Sequence, residues 1–193
     1  TLDFNNQDFM NAWNLVTNTH RSIFLTGKAG TGKSTFLRYI CETTKKKYVV
    51  LAPTGIAAVN VGGMTMHSFF KMPFKPLLPD DVDFSVKKIR STLKYSKDKV
   101  KLIKELELII IDEISMVRAD MIDFVDKVLR VYSGNMREPF GGKQLLLVGD
   151  VFQLDPVVRR NSPEMDMLVD LYNTDMPYFY KANVFRRTEL LSV

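Results

Sequence analysis

The 193-residue chain lacks cysteine pairs and long hydrophobic runs. Its single cysteine, Cys41, excludes an internal disulfide and favours a protein of a reducing compartment. The longest aliphatic runs hold four residues, whereas a membrane-spanning helix needs about twenty, so we expect no transmembrane segment and no membrane partner. The N-terminus has neither a basic-then-apolar signal pattern nor an initiator methionine. These features predict a piece of a longer chain or a processed chain.

Low-complexity tracts and strong compositional bias are absent as well. Apolar residues make up 46% of the chain and charged residues 25%, which is near the average for folded globular domains. Because this composition can bury a hydrophobic core, general disorder and collagen-like repeats are excluded. The length predicts one domain, or at most two modest ones.

The positive charge is concentrated in one segment. The net charge is +5, but residues 71–104 carry ten basic and four acidic side chains, which leaves −1 for the remainder. This basic insertion suits a polyanion such as nucleic acid. The alternative is a solvated, Lys-rich surface helix whose buried stripe is Val100, Ile103 and Leu106. Charge alone leaves both interpretations open.

Short apolar runs alternate with amphipathic segments along the chain. Strands are predicted at residues 22–26, 48–52, 108–111 and 144–148. Four helices are predicted. The first follows a cap at residues 5–7 and has Phe9, Trp13 and Val16 inward, and the second has Phe36, Leu37, Ile40 and Cys41 inward. The third is at 54–59, and the fourth has Ile122, Val125 and Leu129 inward. Residues 72–98 are predicted to be irregular. The alternation predicts an α/β fold, a parallel sheet with helices on both faces.

Residues 27–34, GKAGTGKS, fit the pattern G-x-x-x-x-G-K-[ST] between a predicted strand and a predicted helix. Glycines let backbone N–H groups converge on phosphate oxygens at the positive end of a helix. Lys33 would supply an ammonium to the β- and γ-phosphates, and Ser34 a hydroxyl to Mg²⁺. The alternative is a glycine turn that binds nothing. The predicted nucleotide-binding residues here are Gly27, Ala29, Gly30, Thr31, Gly32, Lys33, Ser34 and Thr35.

Polar side chains follow two later strands. Asp112 and Glu113 come directly after the run at 108–111, at the strand end where α/β sheets bind ligands. Asp112 would hold Mg²⁺ through a water, and Glu113 would activate the attacking water as a general base. Gln153 follows the fourth strand and could hydrogen-bond a γ-phosphate or that water. The alternatives are a pair of solvated acids and a plain turn.

Four blocks of sequence together resemble one family. They are GKAGTGKST at 27–35, APTGIAAVNVGG at 52–63 running on to TMHSFF at 65–70, IIDEISMV at 110–117, and LVGDVFQLDPV at 147–157. The chain is similar over residues 7–157 to the petite-integration-frequency (PIF) family of DNA helicases, relatives of RecD in helicase superfamily one. The second block makes the resemblance specific, because ordinary P-loop enzymes lack it.

The resemblance implies that residues 1–193 form one RecA-like P-loop NTPase domain, the first motor domain of a longer helicase. Such a motor uses ATP and Mg²⁺ to move 5′ to 3′ on single-stranded DNA and to unwind duplexes, forks and G-quadruplexes. The implied roles are replication, repair, recombination and telomere maintenance. The implied location is intracellular: the cytoplasm of a bacterium, or the nucleus or mitochondrion of a eukaryote.

The resemblance also implies DNA contacts in the second block. Thr54 and Gly55 begin a helix, and their backbone N–H groups and hydroxyl suit a phosphate of the tracked strand. His67 and Phe69 offer flat faces on which bases can stack. Ordinary core packing is the alternative for these rings, and for Phe70 it is the preferred one.

Three further positions are interpreted through the resemblance. Gln7 falls where the family has a glutamine that reads the adenine edge, although an exposed first-turn residue explains it equally well. Asp155 stands where family members usually have proline, with little effect expected on Gln153. Arg186 and Arg187 precede the expected arginine-finger motif of the second motor domain, which this chain does not contain, so we interpret them as surface charge.

The rival hypothesis is a nucleotide-gated P-loop binding module without motor activity. Glu113 and Gln153 favour the motor, because they are parts of a hydrolysis site that a simple switch need not keep.

Overall fold

The computed structural model describes residues 6–27, 32–73, 85–150, 172, 178–186 and 190–192. Its strands, in chain order, are β1 (Ser22–Thr26), β2 (Tyr48–Ala52), β3 (Met64–Thr65), β4 (Leu108–Ile111), β5 (Gln144–Gly149) and β6 (Leu190–Ser192). They form one parallel sheet in the order β3-β2-β4-β5-β1-β6. The four predicted strands are confirmed, and β5 runs one residue further than predicted.

The described residues also form seven α-helices. These are α1 (Gln7–Asn18), α2 (Lys33–Thr43), α3 (Gly55–Val61), α4 (Met66–Phe70), α5 (Val86–Leu93), α6 (Lys97–Glu105) and α7 (Ala119–Ser133). Short 3₁₀ turns cover Ile114–Met116, Pro139–Gly142, Phe179–Lys181 and Asn183–Arg186. None of the helices in the described ranges has the length and apolarity needed to cross a membrane.

The sheet is covered on both faces, as the alternation predicted. Leu108 and Ile110 of β4 pack in a cluster with α1 and α2, whereas Ile109 and Ile111 pack with α4, α5, α6 and α7. Successive side chains of a strand point to opposite faces, so a run of four buried residues needs a helical layer on each side. This run is therefore typical of a central strand in a parallel sheet.

The helices beside β1 form as their apolar spacing predicts. Asn6 caps α1 by accepting hydrogen bonds from the backbone N–H groups of Asp8 and Phe9. Phe9 and Val16 are buried, and Trp13 is half-buried. In α2, the predicted face of Phe36, Leu37 and Ile40 is buried as well.

Cys41 departs from its prediction as a core residue. It is half-buried, at the border of the cluster below α2, and its thiol is hydrogen-bonded with Tyr48, which is itself exposed at the sheet edge. Burial raises the pKa of the Cys41 thiol, so the prediction that it is not a reactive thiol is supported.

The prediction of an irregular segment at 72–98 is wrong for its described part, which contains α5 and the start of α6. Ser85 and Ser96 cap these helices by accepting hydrogen bonds from the N–H groups three residues later. Ile89 and Leu93 are buried one turn apart on α5. The stripe predicted for a surface helix is confirmed on α6, with Ile103 and Leu106 buried and Val100 half-buried.

The two outer strands, β3 and β6, were not predicted because each is only two or three residues long. A glycine allows β3 to approach β2. A Cβ built on Gly63 would lie 2.3 Å from the carbonyl oxygen of Val50. Only a residue without a side chain fits there, so Gly63 brings the second sequence block against the sheet.

Candidate nucleotide and nucleic-acid site

The predicted site residues follow strands that are neighbours in the sheet. β5 lies between β1 and β4, so the chain segments leaving the three strands share one edge. Gly27 follows β1, Asp150 follows β5, and Asp112 follows β4. The carboxyl edge of a parallel sheet is the usual place for a ligand, and here it gathers Gly27, the first residue of the phosphate loop, and the acids.

Lys33 connects the phosphate loop to the two acids. Its Nζ donates a hydrogen bond to the carbonyl oxygen of Gly27. Its positive charge also lowers the pKa of Asp112 and of Glu113, against larger effects that raise them. The structure therefore brings together the three side chains that carry the predicted chemistry.

The N-terminus of α2 is open to an anion. Gly32 precedes the helix in the left-handed region, with φ +89°, and no side chain caps the first turn. A Cβ on Gly32 would lie 3.2 Å from the ring of Phe9, which stacks on Phe36 with 5.4 Å between centroids. The backbone N–H groups of the first turn and the helix dipole attract phosphate at this end of α2.

The remaining phosphate-loop residues divide into described and undescribed positions. Ser34 is exposed and Thr35 is half-buried in the first turn of α2. Ala29, Gly30 and Thr31 lie outside the described residues, so their predicted contacts stay predictions.

Asp112 and Glu113 are half-buried, and burial raises the pKa of both carboxyls. The charge of Asp112 raises the pKa of Glu113 further, while the backbone N–H of Glu113 lowers that of Asp112. Glu113 also has a left-handed backbone, with φ +53°. A carboxyl with a raised pKa accepts a proton more readily, which suits a general base.

The chain after β5 packs closely on the turn after Glu113. A Cβ on Gly149 would lie 3.0 Å from Cγ2 and 3.1 Å from the backbone nitrogen of Ile114. Asp150 follows and is only 7% exposed. Sequence reasoning did not single out Asp150, although an acid directly after a buried strand is the signal that revealed Asp112. Gln153 lies outside the described residues.

The described residues fit a magnesium ion that is held mainly by phosphate and water. Ser34 offers a hydroxyl and Asp112 a carboxylate. In the part of the chain that the structure describes, no group of three or more His, Cys, Asp or Glu side chains could hold a metal by itself. Mg²⁺ commonly keeps several waters and binds through one or two protein groups plus substrate phosphates, so this sparse donor set agrees with the predicted role.

Gln7 lies on α1, the helix whose Phe9 approaches Gly32. It is the exposed first residue of α1, and its Nε2 donates to Asn11 Oδ1 at 2.9 Å. Phe9 follows two residues later on α1, and its ring would lie 3.2 Å from a Cβ built on Gly32. The exposed side chain agrees with an ordinary first-turn residue, and its predicted contact with adenine stays a prediction.

The predicted DNA contacts start beside the acids. The backbone N–H of Asp112 donates to the carbonyl oxygen of Leu51 at 2.9 Å, so the chain after β2 lies next to the chain after β4. Thr54 caps α3 by accepting a hydrogen bond from Ala57 N–H at 3.2 Å. Gly55 is exposed, with no atom within 4 Å of a built Cβ. These two residues are therefore accessible at the site edge.

Of the three rings of α4, Phe69 is the one whose position differs from the prediction. His67 is half-buried, and burial together with the nearby Arg118 guanidinium lowers its pKa. Phe69 is 2% exposed and packs edge-on against the fully buried Phe70 at 4.9 Å between centroids. A ring buried in this way has no face for a base, so Phe69 leaves the set of candidate stacking residues. Phe70 packs in the core, as preferred.

Comparison with known proteins identifies the chain. A family model described as PIF1-like helicase matches residues 5–176. The chain is 39% identical over 184 residues to the ATP-dependent DNA helicase PIF1 of Emericella nidulans. It is 40% identical over 171 residues to the protein of that name from Candida albicans. The chain belongs to the PIF1-like helicase family.

Solved structures of this family have the same fold. Bacteroides Pif1 bound to single-stranded DNA is 43% identical, with a TM-score of 0.82 over 97% of this chain. Bacteroides Pif1 in complex with ADP-AlF4 is 41% identical, with a TM-score of 0.84 over 99% of this chain. The predicted fold, a P-loop α/β domain of RecA-like type, is thereby confirmed.

The chain corresponds to a minor part of its relatives. The alignment with the Emericella PIF1 protein covers 90% of this chain and 24% of that protein. The alignment with the Candida protein covers 86% of this chain and 18% of that protein. It spans 42% of each of the two Bacteroides Pif1 chains. The activity of the whole relatives is therefore only proposed for this chain.

A buried ion pair in this PIF1-like domain escaped the sequence reasoning. Arg118 Nε donates to Asp120 Oδ1 at 2.9 Å, and both side chains are almost completely buried. The pair lies at the start of α7, and Arg118 and Asp120 act in opposite directions on the pKa of His67. Charged residues six and eight positions after Asp112 carry no sequence signal for such burial.

Proposed function

We propose that this chain is the first RecA-like motor domain of an ATP-dependent DNA helicase. The observation that carries the proposal is the convergence of Lys33, Asp112 and Glu113 at the carboxyl edge of the sheet. Two acids beside a phosphate-loop lysine suit hydrolysis by water, because one can serve the metal while the other accepts a proton.

In this proposal the nucleotide phosphates lie at the N-terminus of α2. Lys33 binds the β- and γ-phosphate oxygens, and backbone N–H groups of the first turn of α2 bind others. The remaining contacts are assigned to Gln7, Gly27, Ala29, Gly30, Thr31, Ser34 and Thr35. Ser34 and Asp112 hold Mg²⁺, which when bound neutralises phosphate charge during bond cleavage.

Glu113 is assigned the role of general base for the attacking water. One of its carboxylate oxygens accepts a proton from the attacking water, whose oxygen then bonds to the γ-phosphorus as the bond to the leaving diphosphate oxygen breaks. The raised pKa of Glu113 supports this role. Gln153 is assigned to orient that water or sense the γ-phosphate, on the strength of its position after β5.

The proposed use of this hydrolysis is 5′-to-3′ movement on single-stranded DNA and unwinding of duplex, fork and G-quadruplex DNA. The similar Bacteroides Pif1 structure was solved bound to single-stranded DNA, and another Pif1 structure concerns unwinding at forked duplex DNA. Thr54, Gly55 and His67 are the proposed contacts to the strand. We assign the protein to DNA repair, recombination, replication and telomere maintenance, which the names PIF1 and RRM3 of its relatives support.

We further propose that the 193 residues bind nucleotide but turn it over poorly and do not unwind DNA alone. The support is the share of the relatives that they span. A second motor domain would supply the missing arginine to the γ-phosphate and the movement that drives stepping.

The test compares ATP hydrolysis with and without a short single-stranded oligonucleotide. The proteins are this chain, the chain extended to its natural C-terminus, and the Lys33→Ala form of the longer one. We expect DNA to stimulate the long form strongly, and both truncation and Lys33→Ala to abolish the stimulation. Turnover that ignores DNA in the long form, although nucleotide binds, would favour the nucleotide-gated binding module instead.

A further inference from the structure

The ring of Phe69 contacts a lysine side chain instead of the DNA base that was predicted. Lys99 of α6 places its Nζ 3.5 Å from the centroid of the Phe69 ring, although the two residues lie thirty positions apart. The ring attracts a cation through its negative face, and the aliphatic stem of a lysine covers apolar surface. The ammonium group of Lys99 is therefore held at a defined place beside α4.

A second lysine follows Phe69 closely in the chain. Lys71 directly follows α4, two residues after Phe69, and its backbone N–H donates to the carbonyl oxygen of His67. Its backbone is left-handed, with φ +52°, at a helix end where glycine or asparagine is the usual choice. Burial lowers the pKa of Lys99, and the positive charge of Lys71 lowers it further, so the two ammonium groups repel each other.

In the described ranges, no carboxylate forms an ion pair with either lysine. Among the described residues, the ion pairs join Lys47 to Glu105, Arg118 to Asp120 and Arg130 to Asp126, and none of them includes Lys71 or Lys99. Two cations that are held together without an acid attract an anion, because an anion between them replaces repulsion by attraction.

The location indicates which anion. α4 begins directly after β3, at the same end of the sheet as Thr54 and Asp112. Lys71 is the C-cap of this short helix, four residues after His67. Lys71 and the ring that holds Lys99 therefore belong to the same short segment as His67, a proposed DNA contact.

We propose that Lys71 and Lys99 clamp one backbone phosphate of single-stranded DNA, and that Phe69 positions Lys99 for this contact. The inference rests on the DNA-binding part of the proposed function. It selects two of the ten basic residues in the segment 71–104, and it gives Phe69 a positioning role through Lys99.

The test measures the affinity of the 193-residue chain for a fluorescent oligothymidylate over a range of salt concentrations. Lys71→Asn removes a charge and keeps a residue that tolerates left-handed backbone. Lys99→Met removes a charge and keeps an apolar stem on the ring. We expect each variant to bind several-fold more weakly. The double variant should flatten the slope of log K against log salt by about 0.7, the value for one phosphate contact to a single strand.

The matched control is Lys101→Met. Lys101 is on the same helix two residues later, about 200° around the axis, and its charge acts on Glu105. We expect this variant to bind DNA like the unmodified chain, with an unchanged salt slope. Stabilisation by MgATP serves as the folding check for every variant.

The role of Phe69 is tested by a double-mutant cycle. Phe69→Leu should weaken DNA binding in the unmodified chain and have no further effect on Lys99→Met, because the ring acts only through that lysine. A merely structural role would weaken binding equally in both backgrounds.

Two outcomes separate the inference from its foundation. If the unmodified chain binds DNA and the variants of Lys71 and Lys99 match the Lys101 control, the clamp is overturned and the proposed function stands. If the unmodified chain shows no DNA affinity even at low salt, the DNA-binding assignment of this domain fails, and the clamp fails with it.

Discussion

At the scale of single residues, Glu113 shows how a backbone conformation and an electrostatic environment meet at one site. Its left-handed conformation costs a residue with a side chain about 1–2 kcal/mol, and such conformations are concentrated at functional sites. Burial and the adjacent Asp112 raise the pKa of its carboxyl, whereas Lys33 opposes the rise. A partly desolvated carboxylate beside a bound phosphate is a stronger base than one in water.

Glu113→Gln should separate hydrolysis from binding. The amide keeps the shape of the side chain but accepts no proton, so we expect kcat of the longer helicase to fall by about 10²–10⁴-fold with little change in nucleotide affinity. Steady-state hydrolysis and titration with a fluorescent nucleotide check this. Glu107→Gln, at the opposite end of β4, is the control. A Glu113→Gln protein that hydrolyses ATP like this control would exclude the base role.

At the scale of elements, a polar network joins α1 to the sheet at the end away from the site. Lys46 Nζ donates to the carbonyl oxygens of Val16 and Thr19 and to Gln144 Oε1, each at 2.7 Å. Gln144 Nε2 donates to the carbonyl oxygen of Arg21 at 2.8 Å. The network satisfies carbonyl groups at the C-terminal end of α1, which otherwise lack partners.

Lys46→Met should destabilise the domain without changing its site. The variant leaves three oxygen acceptors without their donor, and we expect the free energy of unfolding to fall by about 1–3 kcal/mol. Urea unfolding measures the loss, and Lys45→Met, an exposed neighbour, is the control. Equal stability of the two variants would show that the network contributes nothing to the attachment of α1.

Helix α7 anchors two segments that follow β5 in the chain. Asp123 Oδ2 accepts hydrogen bonds from the Tyr172 hydroxyl at 2.7 Å and from Asn183 N–H at 2.9 Å, and Oδ1 accepts one from Val184 N–H at 2.9 Å. Burial nevertheless raises the pKa of the Asp123 carboxyl above its ordinary 3.8. A single side chain on α7 thus anchors two later segments.

The stability contributed by Asp123 should depend on pH. A carboxyl with a higher pKa in the folded chain than in the unfolded chain favours folding most at acid pH, and this contribution falls as the pH rises from 3.8 through the folded pKa. Asp123→Asn removes this pH dependence of stability and replaces one acceptor oxygen by an NH2 group. We expect the variant to be less stable, by an amount that decreases from acid to neutral pH in urea unfolding. Asp98→Asn, on the exposed side of α6, should show neither effect, and a constant difference for Asp123→Asn would contradict the prediction.

At the scale of the whole molecule, nucleotide binding should stabilise the fold. A ligand at 100 times its Kd adds about 2.7 kcal/mol to the free energy of unfolding when it binds only the folded state. For a domain of this size, that corresponds to a rise in Tm of roughly 5–11 °C. Thermal unfolding with and without MgATP measures the shift. Lys33→Ala should lose it, and an equal shift in that variant would exclude Lys33 as the phosphate ligand.

Most of the architecture was predictable because its signals are local. The four-residue runs at 108–111 and 145–148 are too short for helices and too apolar for exposed strands, so they predict central strands. The phosphate loop and the acid pair were predictable because each lies within a few residues of such a strand. The short strand β3 was missed because it has only two residues, and the burial of Arg118 and Asp120 because it depends on what the rest of the chain packs around them. The caps of α5 and α6 were missed although Ser85 and Ser96 each bond an N–H group only three residues later.

The sequence by itself determined the α/β class, the order of the central elements, the phosphate loop and the family. These depend on the period of apolar residues and on motifs of contiguous residues, which need no knowledge of long-range contacts. Only the tertiary structure decided which side chains meet. It placed Lys33 beside Asp112 and Glu113, buried Phe69 and set Lys99 on its ring. A ring in a motif can face a ligand or the core, and packing alone decides between them because burial depends on what the rest of the chain places above it.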